Sequence, residues 1–147
     1  MNKPVLVAVV AALALVDGVS VRTAHAQTTP GLCSQPNEHC VTVRIGRDST
    51  GAPKASVDVP EVPVNGPNHV IFWRIENTGS QKYSFPDNGI AFKSATGKQE
   101  FTCGALGNSG IVFRCTDPNK AKGKFEYGVT VNGSPPVPPL DPWVINK

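Results

Sequence analysis

Short runs of alternating apolar and polar residues, separated by turn sequences, cover most of the chain after residue 40. Residues 41–45 read VTVRI, and residues 125–131 read FEYGVTV, the cleanest alternation in the sequence. A period of two is typical of a half-buried β-strand. Apolar residues nowhere recur at helical spacing for three turns. The pattern therefore predicts strands throughout this region.

The remaining runs predict where the strands lie within a sheet. Residues 69–76 are apolar on both faces around Trp73, which places this strand near the centre of a sheet. Residues 55–64 also alternate, but Pro60 and Pro63 each remove a backbone donor, and we therefore expect an edge position. Shorter candidate strands cover residues 83–85, 90–92, 101–103, 111–115 and 143–145. A polar, lysine-bearing loop is predicted between residues 92 and 101.

This arrangement predicts an all-β fold, a Greek-key β-sandwich of about seven or eight strands. The proline-dense tail at residues 134–142 is expected to be extended. We expect it to cap one edge of the sandwich with Trp143 packed inward.

The N-terminus has the features of an export signal. Lys3 precedes an unbroken apolar run of 12 residues at positions 5–16, and Ala24-His25-Ala26 fits the small-x-small cleavage rule. A helix of that length cannot cross about 30 Å of hydrocarbon. We predict a signal peptide at residues 1–26, an N-terminal segment tied by a disulfide at residues 27–40, and a β-sandwich domain at residues 41–147.

Size and charge limit the class of partner. Removal of residues 1–26 would leave 121 of the 147 residues, enough for one domain. The formal net charge of +3 is weak and spread along the chain, so we expect no nucleic-acid partner. No second apolar run could span a bilayer. The predicted location is the periplasm or the outside of the cell.

Four cysteines, at positions 33, 40, 103 and 115, are expected to form disulfides in an exported chain. Three pairings are open. We favour Cys33 with Cys40 and Cys103 with Cys115, because the members of each pair are close in sequence. The spacing does not match a zinc site or a C-x-x-C redox motif.

Several segments follow one another along the chain: IFWRIEN and TGS, then YSFPDNGIAF, then FRCTDPN leading into GKFEYGVTV. In this order they resemble the cupredoxin-like β-sandwich. The resemblance covers residues 41–131. In copper-bearing members of that class, one His follows the strand that corresponds to residues 71–77. A Cys ends the penultimate strand, and a His and a Met come a few residues later.

The chain departs from that pattern at the ligands. Lys82 and Tyr83 stand where the first His is expected, and Cys115 stands near the position of the thiolate but is followed by TDPN. The only methionine is Met1. Because a blue-copper site needs two imidazoles and a thiolate, the resemblance implies a copper-free exported bacterial member of the class, with no cofactor.

No motif in the sequence carries catalysis, so we expect a non-catalytic protein with a binding or scaffolding role toward another protein or a surface ligand. The alternative is a periplasmic metal-handling protein that binds copper or zinc at a surface site near His39 or His69. A third hypothesis, a secreted hydrolase, rests on Ser109 as nucleophile or on a pair of catalytic carboxylates drawn from Glu76, Asp87, Glu100 and Glu126.

Overall fold

The protein forms two β-sheets packed face to face, in a computed structural model that describes residues 32–147. The predicted signal peptide at residues 1–26, its cleavage after Ala26, and residues 27–31 lie outside the described residues. The described part contains nine strands and one helix: β1 (Glu38–Arg47), β2 (Pro53–Val57), β3 (Glu61–Val64), β4 (His69–Glu76), β5 (Ile90–Phe92), α1 (Ala95–Glu100), β6 (Thr102–Ala105), β7 (Val112–Asp117), β8 (Gly123–Val129) and β9 (Trp143–Asn146).

The two sheets have the strand orders β2-β1-β4-β7-β6 and β3-β9-β8-β5. The pairs β1–β4 and β3–β9 are parallel, and the other pairs are antiparallel. The predicted all-β sandwich is confirmed, with nine strands in the described part in place of seven or eight.

The positions predicted for individual strands are also confirmed. The strand that is apolar on both faces, β4, is the middle strand of the first sheet. The proline-bearing segment supplies an edge strand to each sheet, with β2 at one edge and β3 at another. Pro63 lies within β3, and the missing proline donor is tolerated because an edge strand has one unpaired side.

Aromatic side chains from both sheets fill the centre of the core. Trp73 of β4 and Tyr127 of β8 are fully buried, and their rings meet edge to face with centroids 5.2 Å apart. Phe92 and Phe101 stack at 3.7 Å beside them. Edge-to-face and stacked pairs of this kind stabilise a core beyond the burial of their area. Because Trp73 and Tyr127 belong to different sheets, their contact joins the two layers.

Three local predictions are wrong. Residues 95–100 form the helix α1 where a loop was expected, because six residues are too few for a helical period to show in the sequence. Ser94 caps this helix by accepting from Gly97 N at 3.0 Å. Residues 83–85 form only a bridge between Ser84 and Asn132. Trp143 is half-buried and lies under Lys124, whose Nζ is 4.6 Å from the ring centroid, while Val144 points into the core.

Both favoured disulfides are present, Cys33–Cys40 and Cys103–Cys115, and they account for all four cysteines. Cys103 and Cys115 lie directly opposite each other on β6 and β7. Two disulfides are typical of a protein that folds in an oxidising, extracellular environment. Within residues 32–147, no helix is long and apolar enough to cross a membrane.

Candidate functional site

A pocket of about 400 Å³ opens at the end of the first sheet where β4 begins and β7 ends. His69, the first residue of β4, lies opposite Asp117, the last residue of β7. We call this cavity the His69 pocket. Its polar lining residues come from β4, β6, β7, the end of α1 and the turn before β4: Asn68, His69, Gln99, Glu100, Thr102, Thr116 and Asp117.

The two histidines of the described residues meet at this end of the sheet. His39 Nε2 lies 3.0 Å from His69 Nδ1, although the residues are 30 positions apart in sequence. The parallel pairing of β1 with β4 places His39 opposite Ile71, two residues beyond His69 on the same face. His69 is buried and His39 is half-buried.

The hydrogen bonds of His69 fix its tautomer. His69 Nε2 lies 2.7 Å from the carbonyl oxygen of Asn65, which can only accept, so Nε2 carries the proton. In the neutral ring, Nδ1 then has a free lone pair and accepts the Nε2–H of His39. Burial, and to a lesser extent the charge of His69, lower the pKa of His39 below its usual value, which favours the neutral imidazole.

Two buried carboxyl groups lie on the opposite side of the pocket. The two carboxylate oxygens of Glu100 accept from the backbone N–H groups of Lys120 at 2.6 Å and Ala121 at 3.1 Å. Asp117 Oδ1 accepts from Asn119 N at 2.8 Å and from Asn146 Nδ2 at 3.2 Å. These bonds tie the end of α1 and the start of the β7–β8 turn to the pocket.

The second oxygen of Asp117 has a different environment. Asp117 Oδ2 is buried and faces no hydrogen-bond donor within residues 32–147. Burial raises the pKa of Asp117, and the nearby Glu100 raises it further through its charge and a hydrogen bond. The raised pKa favours the neutral carboxyl of Asp117, because a buried oxygen without a hydrogen-bond partner stabilises a negative charge poorly.

The other residues that the sequence singled out are placed elsewhere. Cys115 is bonded to Cys103 and offers no thiolate. Lys82 and Tyr83 follow the C-terminal end of β4, whereas Cys115 pairs with Ile71 near its start. Within residues 32–147, no group of three or more His, Cys, Asp or Glu side chains is arranged to hold a metal ion.

Of the residues named for hydrolysis, Glu100 lines the His69 pocket, whereas Ser109 and Glu126 lie elsewhere. Ser109 precedes Val112, which pairs with Arg74, so it lies at the opposite end of β7 from His69. Glu126 on β8 forms an ion pair with Lys93, from Glu126 Oε1 to Lys93 Nζ, at 2.9 Å. The hydrolase hypothesis gains no support from these positions.

Sequence reasoning named His39, His69 and Glu100 separately, and it missed the contact between the two histidines, the place of Asp117 beside them, and the pocket. One signal was available. His39 is in phase with Val41 and Val43, and His69 is in phase with Ile71 and Trp73, so both histidines fall on inward-facing positions. No local sequence pattern shows that β1 pairs in parallel with β4, and this pairing is what brings the two histidines together.

No protein-family model matches the sequence, and no curated protein is similar enough to count as a match. The cupredoxin-like assignment therefore stays a prediction.

Proposed function

We propose that this protein is exported and has a non-catalytic binding role, with the His69 pocket as its binding site. The observation that carries the proposal is the pocket itself. A volume of about 400 Å³ falls in the range of about 300–1,000 Å³ that is typical of small-molecule sites. Its polar groups come from three strands, the end of α1 and the turn before β4, which converge at one end of the sheet.

The two disulfides support a binding role because they hold the residues around the pocket in place. Cys40 directly follows His39, Cys103 follows Thr102, and Cys115 precedes Thr116. Both disulfides therefore anchor residues that line the pocket or contact His69. A preformed site loses less conformational entropy on binding, so a small pocket of this kind can bind its ligand without rearrangement.

The lining predicts the chemistry of the ligand. It offers amide, hydroxyl, imidazole and carboxyl groups, and none of its residues is Lys or Arg. The two carboxyl groups, Glu100 and Asp117, disfavour an anion at short range. We therefore propose a small polar ligand that is neutral or cationic, carrying hydroxyl or amine groups.

Export to the periplasm or out of the cell is part of the proposal. Its support is the predicted signal peptide at residues 1–26 together with two disulfides. Binding at an accessible pocket, and not at a charged surface, also fits the weak net charge of the chain.

A thermal-shift assay tests the binding role. The probes are glucose, N-acetylglucosamine, putrescine and glycine betaine, with gluconate and succinate as anionic counterparts. The Thr102→Arg variant places a long cation in the pocket, and Thr78→Arg makes the same change at an exposed position near the other end of β4. We expect at least one neutral or cationic probe to stabilise the wild type and Thr78→Arg, and not Thr102→Arg. Stabilisation by the anions alone, by no probe, or equally in both variants contradicts the proposal.

A further inference from the structure

The contact between His39 and His69 has the dimensions of a chelating pair. The two facing nitrogen atoms, His39 Nε2 and His69 Nδ1, are 3.0 Å apart. At the usual metal–nitrogen distance of about 2.0–2.1 Å, two nitrogens at that separation subtend about 94° at a shared ion. This angle is close to the 90° between neighbouring ligands of a square-planar ion and smaller than the tetrahedral angle.

We propose that His39 Nε2 and His69 Nδ1 together bind one Cu(II) ion, with solvent oxygen atoms in its remaining coordination positions. This site shares His69 with the His69 pocket, but it uses the facing nitrogens of the two rings and needs no organic ligand, so it goes beyond the function proposed for the pocket.

The surroundings of His69 support a ligand role for its Nδ1. A metal-binding histidine typically donates its other ring N–H to a carbonyl or carboxylate, which fixes the tautomer and the ring orientation. His69 Nε2 makes such a bond to the Asn65 carbonyl at 2.7 Å. The Nδ1 lone pair is therefore already available, and the ring is held in place by β4 and by the turn before it.

His39 needs one proton shift to become a ligand. In the metal-free pair its Nε2 carries the proton that it donates to His69 Nδ1. When the ion binds, that proton moves to His39 Nδ1 through solvent, the Nε2 lone pair is freed, and no net proton is released. His39 is only half-buried, so solvent reaches its ring.

The donor set favours Cu(II) over other divalent ions. The nearest cysteine in sequence, Cys40, is disulfide-bonded, so the site offers nitrogen and oxygen donors without thiolate. Two imidazoles with water in a square-planar arrangement suit Cu(II), which also binds nitrogen ligands more tightly than the other first-row divalent metals. Because the protein supplies two ligands only, we expect an exchangeable ion.

Copper titration of the full chain, purified without a histidine tag, tests the site. Binding is measured by calorimetry with copper sulfate, and the ligands are counted from the nitrogen splitting of the Cu(II) electron paramagnetic resonance spectrum. His39→Gln and His69→Gln each remove one ligand. Lys82→Gln is the control, because it makes a change to the same residue at an exposed position beyond the far end of β4. Circular dichroism establishes that each variant is folded.

We expect one Cu(II) per wild-type chain with coupling to two nitrogen nuclei, and the same result for Lys82→Gln. Loss of an outer-shell partner alone commonly weakens metal binding about 10–100-fold, so each ligand variant should lose about tenfold or more and retain one coupled nitrogen. The wild-type spectrum decides the question if a ligand variant does not fold. A wild-type spectrum without two coupled nitrogens, or unchanged binding in both folded ligand variants, overturns the proposal. Neither result affects the thermal-shift test of the His69 pocket, which uses no metal.

Discussion

The indole Nε1–H of Trp73 donates to the phenolic oxygen of Tyr127 at 3.0 Å across the interface between the two sheets. Both side chains are fully buried. Burial raises the pKa of the Tyr127 phenol above its usual value, so the hydroxyl stays neutral at any physiological pH. This bond is a polar link between β4 and β8 inside an apolar core, and it satisfies the one donor of the indole.

Replacement of Tyr127 by Phe should cost about 1–3 kcal/mol of unfolding free energy, because the buried indole N–H would be left without an acceptor. Urea denaturation followed by tryptophan fluorescence measures the loss. Tyr83→Phe is the matched control, since its hydroxyl donates to the Pro135 carbonyl in a partly buried position at 3.1 Å. An equal or smaller loss for Tyr127→Phe than for Tyr83→Phe would show that the inter-sheet bond does not have this role.

Gly133 packs so closely against the ring of Tyr83 that there is no room for a side chain. A Cβ there would lie 2.1 Å from Cδ1 of Tyr83, whose ring is buried. Gly133→Ala must displace this ring, and overpacking of this kind typically costs about 1–3 kcal/mol. Gly104→Ala provides the comparison, because its Cβ would meet nothing within 4 Å. We expect the thermal midpoint to fall for Gly133→Ala and to change little for Gly104→Ala; similar midpoints for the two variants would refute the packing argument.

The raised pKa of Asp117 predicts a pH dependence of the stability. Because the pKa of Asp117 is raised from 3.8, the folded state holds the carboxyl proton more tightly than the unfolded state. Its contribution to stability is complete below about pH 3.8 and is lost as the pH rises through the folded pKa. Asn at this position keeps the acceptor Oδ1 and carries no charge into the buried site, so Asp117→Asn should be more stable than the wild type at pH 7.

Urea midpoints between pH 4 and pH 8 measure this difference. The gap between Asp117→Asn and the wild type should widen as the pH rises, whereas Asp87→Asn in an exposed turn should follow the wild type. A constant gap across this range would mean that Asp117 does not hold the proton.

The lowered pKa of His39 predicts a pH dependence of the stability with the opposite sign. Its pKa is lowered from 6.5 by burial and by His69, so the folded state takes up a proton less readily than the unfolded state. The contribution to stability is complete above about pH 6.5 and is lost as the pH falls through the folded pKa. His39→Gln keeps a donor toward His69 without titrating, so its stability relative to the wild type should rise below pH 6.5. Unfolding midpoints of both proteins at pH 5 and pH 7.5 check this, and an unchanged difference between them contradicts it.

The sequence predicted most of the fold because each strand carries its own alternation. The central place of β4 follows from apolar residues on both faces, and the edge places of β2 and β3 follow from two prolines. The disulfides followed from the short spacing of each cysteine pair. The helix α1 was missed because its six residues are too few to show a helical period, and because Ser94 and Gly97 resemble loop residues in the sequence.

The site was harder to predict because it depends on contacts between distant segments. His39 and His69 meet through the parallel pairing of β1 with β4, and Asp117 meets Glu100 through the antiparallel pairing of β6 with β7 and the turn that follows. No local pattern specifies which strands become neighbours in a sandwich. The inward phase of both histidines shows that they lie on the core face, but not that they touch.

The central claim is that the end of the first sheet around the His69 pocket is where this protein binds its ligand. Fragment mapping on isotope-labelled protein tests it most directly, with small neutral and cationic polar molecules added one at a time and backbone amide shifts recorded. The account predicts shifts concentrated at Asn68, Gln99, Thr102 and Thr116, and abolished by Thr102→Arg. Shifts concentrated elsewhere, for example at the groove between Lys54 and Leu140, or none at any position, would contradict it.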